Sequence, residues 1–302
     1  LRERVKDVLV AVGAQEVITY SAVSEELLKK VVPAEDLAIL APLRIVNPLS
    51  AEHELLRVSL RGSLLETVAA NLRLKRPALS LFETAVVFLP HETRSKLPTE
   101  REVVVGAVTG RRTDRWGRAT DDAFDFYDAK GYVEALDGAL GTGLTFSAGE
   151  DPNLLDGRTA ELRAGREPVG VVGQVHPDVL RRFDIEQDVF LYELDLSALR
   201  PHVRPLHRFS PVSRYPAVEQ DLAIVVDRDL AAADLIAAIR RTRLVAEATV
   251  FDVYEGAGVP AGKKSIAVAI RYQSDEKTLT DAEVARAQRG MLEGLRRQFG
   301  AE

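Results

Sequence analysis

Apolar positions at Val5, Val8, Leu9 and Val12, with charged residues between them and Gly13 after, predict a helix over 1–12. A strand over 16–23 follows, and Ser24 then caps a short helix over 25–31, with Pro33 beyond it. Residues 45–50 read as a turn, and 55–62 lead into a helix over 63–74 that Pro77 closes. Residues 79–89 and 103–109 carry strand patterns, the first with Glu83 inside it, and the chain around Trp116 is charged and loop-like. A helix over 126–140 stops at Gly141-Thr142-Gly143. Strands over 159–163 and 168–174, a helix over 177–183 and a strand over 189–195 complete this part. Hairpin neighbours with helices inserted between some of them imply a largely antiparallel α+β domain, with no repeated βαβ unit.

Pro201, Pro205, Pro211 and Pro216 mark a linker ending in an ordered arm, which divides the chain into 1–204 and 205–302. The second part reads strand 221–226, helix 231–242, strand 248–254, strand 265–272, helix 281–299. That is a ferredoxin-like βαββαβ plan without its last strand, an edge strand expected to be very short or missing. Thr280 and Glu283 have the spacing of a capping box for the last helix.

Two alternating runs meet at 251–273 across Glu255-Gly256-Ala257-Gly258-Val259-Pro260-Ala261-Gly262, too long for a two-residue hairpin. Alternation puts Val250, Asp252 and Tyr254 on one face and Phe251 and Val253 on the other. An acid, a tyrosine, Lys263, Lys264 and the Ser265 hydroxyl thereby gather at one end of a hairpin. Such a set suits a nucleotide, the ring stacking on a base, the acid accepting from a base edge and the lysines holding phosphate. The same residues also fit a solvated hairpin whose tyrosine covers a sheet. Arg214-Tyr215-Pro216 offers either a packing arm or a further RNA contact, since Pro216 holds Tyr215 extended.

Composition narrows the classes. The 302 residues are 46% hydrophobic, enough for two cores, and contain no cysteine, so disulfides, thiolate metal sites and a cysteine nucleophile are excluded. The first residues resemble neither a signal peptide nor a membrane span, and a cytoplasmic location is expected. The net charge of −6 requires any nucleic-acid contact to be local. Residues 207–302 hold 14 Lys+Arg and 14 Asp+Glu, so the excess acid belongs to the first part. His53, His91, His176, His202 and His207 lack metal-ligand spacing, and His176 before Pro177 reads as a turn or core residue without triad partners. Asp121, Asp122, Asp125 and Asp128 form an acidic run that fits either Mg²⁺ or a solvated loop entering a helix. Gly141 and Gly143 lack the third glycine of a dinucleotide motif.

Seven stretches occur in one order: NPLSAEHELLRVSL, LFETAVVF, FYDAKGYVEAL, VVGQVHPDVL with YELDLSAL, RYPAVEQDLAIVV, FDVYEG with GKKS, and KTLT. Together they resemble the carboxy-terminal part of the bacterial phenylalanine–tRNA ligase β subunit over nearly the whole chain. The resemblance implies a class II aminoacyl-tRNA synthetase-like antiparallel sheet domain over 1–204 that has lost its chemistry, then a ferredoxin-fold anticodon-binding domain over 205–302. It implies a catalytic α subunit as partner in an α2β2 assembly, tRNA(Phe) as ligand, no cofactor in this part, ATP and Mg²⁺ used by the complete enzyme, and no editing site. Class II adenylation needs an arginine in a Phe-Arg-x-Glu strand; the comparable Val87-Phe88-Leu89-Pro90-His91-Glu92 has Leu89 instead. The later glycine-rich strand ending in Glu-Arg is replaced by Phe190-Leu191-Tyr192-Glu193-Leu194-Asp195-Leu196. No catalytic residue is therefore expected in 1–204, and 1–23, in the place of the class II interface motif, is expected to present an apolar patch to a partner. In the second domain the resemblance places Asp252, Tyr254 and Ser265 at the first anticodon base. A free-standing ATP-dependent ligase and a small-molecule regulatory module on a ferredoxin-like fold are the competing functions.

Overall fold

The computed structural model describes every residue except 77, 92–96, 114–118 and 205–210. Pro77, Glu92, Trp116, Pro205 and His207 lie outside the described residues. The chain forms two compact units, Leu1–His207 and Arg208–Glu302.

In chain order the first unit contains α1 (Arg2–Ala11), β1 (Gln15–Glu16), β2 (Ala22–Val23), α2 (Glu25–Lys29), α3 (Ala34–Leu40), β3 (Leu55–Leu56), α4 (Arg61–Arg73) and β4 (Ala78–Leu89). Then come β5 (Thr99–Thr113), β6 (Ala119–Ala123), α5 (Phe126–Leu140), β7 (Leu144–Ala148), β8 (Leu154–Ala164), β9 (Glu167–Val175), α6 (Pro177–Arg181), β10 (Val189–Asp195) and α7 (Leu196–Leu199). The main sheet runs β1-β4-β5-β10-β9-β8-β7, with β6 pairing the far end of β5. Every pairing in it is antiparallel except β1 on β4.

Both faces of the middle of this sheet are covered, which is why β10 is buried almost throughout instead of alternating. Leu81, Val105 and Leu191 pack with Leu64 and Val68 of α4 and Val179 of α6. On the other face Phe82, Val104 and Tyr192 pack with Val5 and Leu9 of α1 and Val133 and Leu136 of α5. Tyr192 stacks on Tyr132 with ring centroids 5.8 Å apart. Its ring lies over Gly106, where a Cβ would stand 2.0 Å from Tyr192 Cζ.

The second unit contains β11 (Val218–Asp227), α8 (Ala232–Arg240), β12 (Val245–Tyr254), β13 (Lys263–Tyr272) and α9 (Asp281–Phe299), with sheet order β11-β13-β12, all antiparallel. At the open edge of β11, Glu302 exchanges two backbone hydrogen bonds with Val225, 2.9 and 3.0 Å. This is the place of the fourth strand in a ferredoxin-like plan. Burial along β13 alternates strictly from Ile266 to Tyr272. One face carries Ile266, Val268 and Ile270 against Leu235, Ile239, Val284, Met291 and Leu295 of the two helices, and the other is bare.

The expected strand over 16–23 is corrected to two fragments in different sheets. Gln15–Glu16 pairs with Leu81 and Phe82, whereas Ala22–Val23 pairs with Leu55 and Leu56. Between them Thr19 leaves any ladder because its hydroxyl donates to Glu83 Oε2 at 2.7 Å and its N–H to Oε1 at 3.3 Å. Pro33 both follows α2 and sits at the N-cap of α3, a helix the sequence reading lacked. The strands β6 and β7 were also absent from that reading.

Two outcomes test these contacts. Gly106→Ala places a methyl inside the Tyr192 ring at the centre of the sheet, so it should destabilise the first unit by about 1–3 kcal/mol or more in urea unfolding. In α9 the Glu283 carboxylate accepts from the N–H and hydroxyl of Thr280, both at 3.0 Å. Its ion pair with Lys277 and these bonds draw its pKa from 4.5 down to about 2. A depressed folded pKa gives stability that is complete above the unfolded value and disappears as pH falls toward the folded one. The melting-temperature gap between the parent and Glu283→Gln should therefore be widest above pH 4.5 and close as pH approaches 2.

Candidate nucleic-acid interface

The bare face of the β11-β13-β12 sheet carries most of the sequence-derived set. Tyr254 pairs directly across the ladder with Ser265, and Asp252 with Ala267. Asp252 and Tyr254 stand two residues apart on one strand, about 7 Å along it. The expected grouping with Val250 is corrected by a β-bulge between Val250 and Asp252, which leaves Phe251 unpaired. Val250 opposes Val268 on the helix-covered face, whereas Asp252 and Tyr254 fall on the bare one. A bulge changes the parity of a strand, and period-2 reading has no signal for it.

Tyr254 is 48% exposed and its hydroxyl donates to the Ala257 carbonyl at 3.3 Å. Its ring closes over Gly256, where a Cβ would meet the hydroxyl at 2.6 Å, so only glycine lets the ring fold back on the loop. The loop is ordered by Val259 N–H to the Gly256 carbonyl and Lys263 N–H to the Pro260 carbonyl, both 3.1 Å. Gly258 (φ 92°) and Gly262 (φ 79°) supply its left-handed positions. Arg228 and Glu255 pair across its base at 3.0 Å. Asp252 is exposed, and its carboxylate makes no hydrogen bond or ion pair with a described residue.

The two lysines separate. As consecutive strand residues they face opposite ways, Lys263 sharing the face of Ser265 and Lys264 the other. Lys263 is bound by Glu302 at 2.5 Å, and this hydrogen bond raises its pKa. Arg214 belongs elsewhere. Its arm is tied to the far end of β13 through Ser213 Oγ to the Ser274 carbonyl (3.2 Å) and Gln273 Nε2 to the Tyr215 carbonyl (2.9 Å). The length of β13 puts about 30 Å between that end and the hairpin loop.

In the first unit the charged residues inside the core are the ones sequence reasoning missed. Arg57 donates to Glu83 Oε1 at 3.1 Å and to the carbonyls of Val86 and Tyr20. Desolvation lowers its pKa, and Glu83 opposes the shift. Arg61 bonds Glu193 and Asp151, each at 2.7 Å. Burial disfavours its charge, yet the two carboxylates outweigh that and raise its pKa. Glu83 and Glu193 inside apolar strands were the available signal. A groove of about 960 Å³ beside the end of β4 is lined by Leu37, Leu40, Leu43 and Pro90, with Lys29 and Arg44; those cations are engaged by Glu25 and Glu54. His176 Nδ1 accepts from Asp178 N–H as the cap of α6. Asp125 and Asp128 exchange backbone bonds as a capping box for α5, and Asp128 holds Arg112 at 2.9 and 3.0 Å. Among the described residues no three His, Asp or Glu side chains are grouped to hold a metal. Val10, Val12, Ile18 and Tyr20 are exposed, at 56, 45, 87 and 76%.

The family model described as the phenylalanyl tRNA synthetase beta chain CLM domain matches residues 1–196, and that of the ferredoxin-fold anticodon binding domain matches 213–302. The chain belongs to the phenylalanine–tRNA ligase beta subunit family. It is 38% identical to the phenylalanine–tRNA ligase beta subunit of Syntrophotalea carbinolica over 100% of its own length and 38% of the relative's. To that of Methylococcus capsulatus it is 39% identical over 99% of this chain and 37% of the relative. The chain thus spans under two fifths of the beta subunits it matches. The crystal structure of a pyrrolysyl-tRNA synthetase from Desulfitobacterium hafniense shares the fold, with a TM-score of 0.50 at 15% identity over 66% of each chain. The expected α+β architecture, synthetase-like and then ferredoxin-like, is that of this family.

Removing the cation between two inward-facing carboxylates should be costly. Arg61→Met is expected to destabilise the first unit by about 3–5 kcal/mol in denaturant unfolding. The triple change Arg61→Met, Asp151→Asn, Glu193→Gln should recover part of that loss.

Proposed function

We propose that the chain is a non-catalytic part of a phenylalanine–tRNA ligase beta subunit. Its second unit holds the anticodon region of tRNA(Phe), and its first supports the catalytic alpha subunit of an α2β2 enzyme in the cytoplasm. The observation that carries this reading is the bare sheet face, on which Tyr254, Ser265, Asp252 and Lys263 converge in a unit matching an anticodon-binding family. Tyr254 supplies a stacking surface for the first anticodon base, free Asp252 an acceptor for a base-edge N–H, and Ser265 an adaptable donor or acceptor. Lys263 meets phosphate only by exchanging Glu302 for it. Lys264 belongs to the opposite face of β13, and Arg214 to its far end.

For the first unit, Leu89 stands half-buried at the end of β4, and the inward arginines Arg57 and Arg61 are committed to Glu83, Asp151 and Glu193. These features support a scaffold in place of an adenylation site, with ATP and Mg²⁺ handled by the alpha subunit. Exposed Val10, Val12, Ile18 and Tyr20 are the apolar surface proposed for the partner.

The experiment reconstitutes the enzyme with its alpha subunit. Base stacking is worth ~1–3 kcal/mol, so Tyr254→Ala should weaken tRNA(Phe) binding roughly 5- to 150-fold with the fold intact. Asp252→Ala should flatten discrimination between guanine and other bases at the first anticodon position. Aminoacylation indifferent to both changes would refute the anticodon reading, and ATP–pyrophosphate exchange by this chain alone would refute the scaffold reading.

A further inference from the structure

The bare sheet face is chemically suited to bases but poorly suited to phosphates. By register it carries Glu219, Asp221, Asp227, Glu247 and Asp252 against only Lys263 and Arg271. Both cations are spoken for, Lys263 by Glu302 at 2.5 Å and Arg271 by Glu247 at 3.2 Å. Binding of a polyanion draws most of its strength from cations that neutralise phosphate. The second unit must therefore place that charge on a different surface.

The opposite side of the unit has it. Helix α9 buries Val284, Met291 and Leu295 against the sheet. At 100° per residue, Arg286, Arg289, Arg296 and Arg297 fall within one sector of about 100° on the far side, all of them exposed. The stripe is about 16 Å long, and Glu293 is the single acid inside it. The guanidinium groups of Arg286 and Arg289 make no hydrogen bond or ion pair with a described residue, and that of Arg296 has only a longer-range attraction to Glu302. Arg297 Nε rests on the Glu293 carbonyl at 3.3 Å. At the carboxy-terminal end of the helix, Arg241 of the α8 exit lines a crevice with Gln298, Phe299 and Asp234.

A second observation adjoins the stripe. Gly290 and Gly294 lie inside α9 at helical spacing beside Arg286 and Arg297, and a Cβ at either would meet nothing within 4 Å. Glycine weakens a helix interior, and no packing in the free chain calls for it here. Bare helix backbone next to guanidinium groups lets another backbone approach closely.

We propose that the outer face of α9 is a phosphodiester-binding surface for RNA, with Arg286, Arg289, Arg296 and Arg297 as its phosphate ligands. Guanidinium groups bind phosphate oxygens two at a time and read no base, so this surface contributes affinity without sequence preference. It is separate from the hairpin face, where the bases are read. That the occupant is RNA and not an acidic polypeptide rests on the anticodon-binding reading of this unit.

Fluorescence anisotropy of the full chain tests it, using a labelled anticodon stem-loop, a scrambled RNA of the same length and polyglutamate, from about 25 to about 200 mM salt. The variant with all four arginines changed to glutamine should lose at least about tenfold in affinity for both RNAs at low salt. Its slope of log K against log salt should be shallower by about 2–3. Gly290→Ala with Gly294→Ala should raise the melting temperature and still weaken RNA binding. Tyr254→Ala should affect the stem-loop more than the scrambled RNA, which keeps the two surfaces distinguishable. An arginine variant with unchanged affinity and slope overturns the proposal even when Tyr254→Ala has its effect. Tighter binding to polyglutamate than to RNA, or a parent chain that binds no RNA at about 25 mM salt, overturns it as well.

Discussion

How many faces of a sheet are covered decides what each half of this protein can offer. In the first unit helices pack on both faces of the central strands, so those strands are apolar on both sides. In the second unit two helices cover one face only. Everything the hairpin presents depends on that asymmetry, because a second layer would bury Tyr254, Ser265 and Asp252 together. The same geometry separates the chemistry of the two sides: the flat face carries the small side chains Ala223, Ser265, Ala267 and Ala269, while the arginines of α9 stand on the helix beyond the core.

Charge inside the first unit follows a different logic. Arg57 and Arg61 are turned into the core, and each is neutralised and hydrogen-bonded by carboxylates of the same chain. A buried arginine with two carboxylates is weak evidence for stability and good evidence for commitment, since it cannot leave without exposing two unpaired charges. The ion pairs tie α4 to β10 and the 151 loop, and Thr19 to β4, fixing the irregular segment between β1 and β2.

Much of this was legible in the sequence where a single local rule governs. Helices α5 and α9 and strand β10 coincide with their predicted limits because capping residues and a closing glycine or hydrophobic run mark both ends. Legibility failed where a distant side chain intervenes. Thr19 is drawn from the ladder by Glu83, sixty-four positions away, and no window around Thr19 contains that carboxylate. It failed also where one residue changes parity, as Phe251 does: Asp252 and Tyr254 were placed together correctly, but with the wrong neighbour in Val250. The place of the Arg214 arm at the far end of β13 was not legible for a third reason, since no local pattern tells which end of a strand a linker arm is tied to.

The bulge at Phe251 bears on solubility as well. Strand β12 is an edge of its sheet, and Val250, Phe251 and Val253 give it the apolar, β-prone character that invites a second chain to dock alongside. The unpaired residue interrupts the row of edge N–H and C=O groups, and Asp252 sets a charge in the middle of it. Another copy of the strand would find no continuous register to zip onto, so the same irregularity that aims Asp252 and Tyr254 outward also keeps the edge from polymerising.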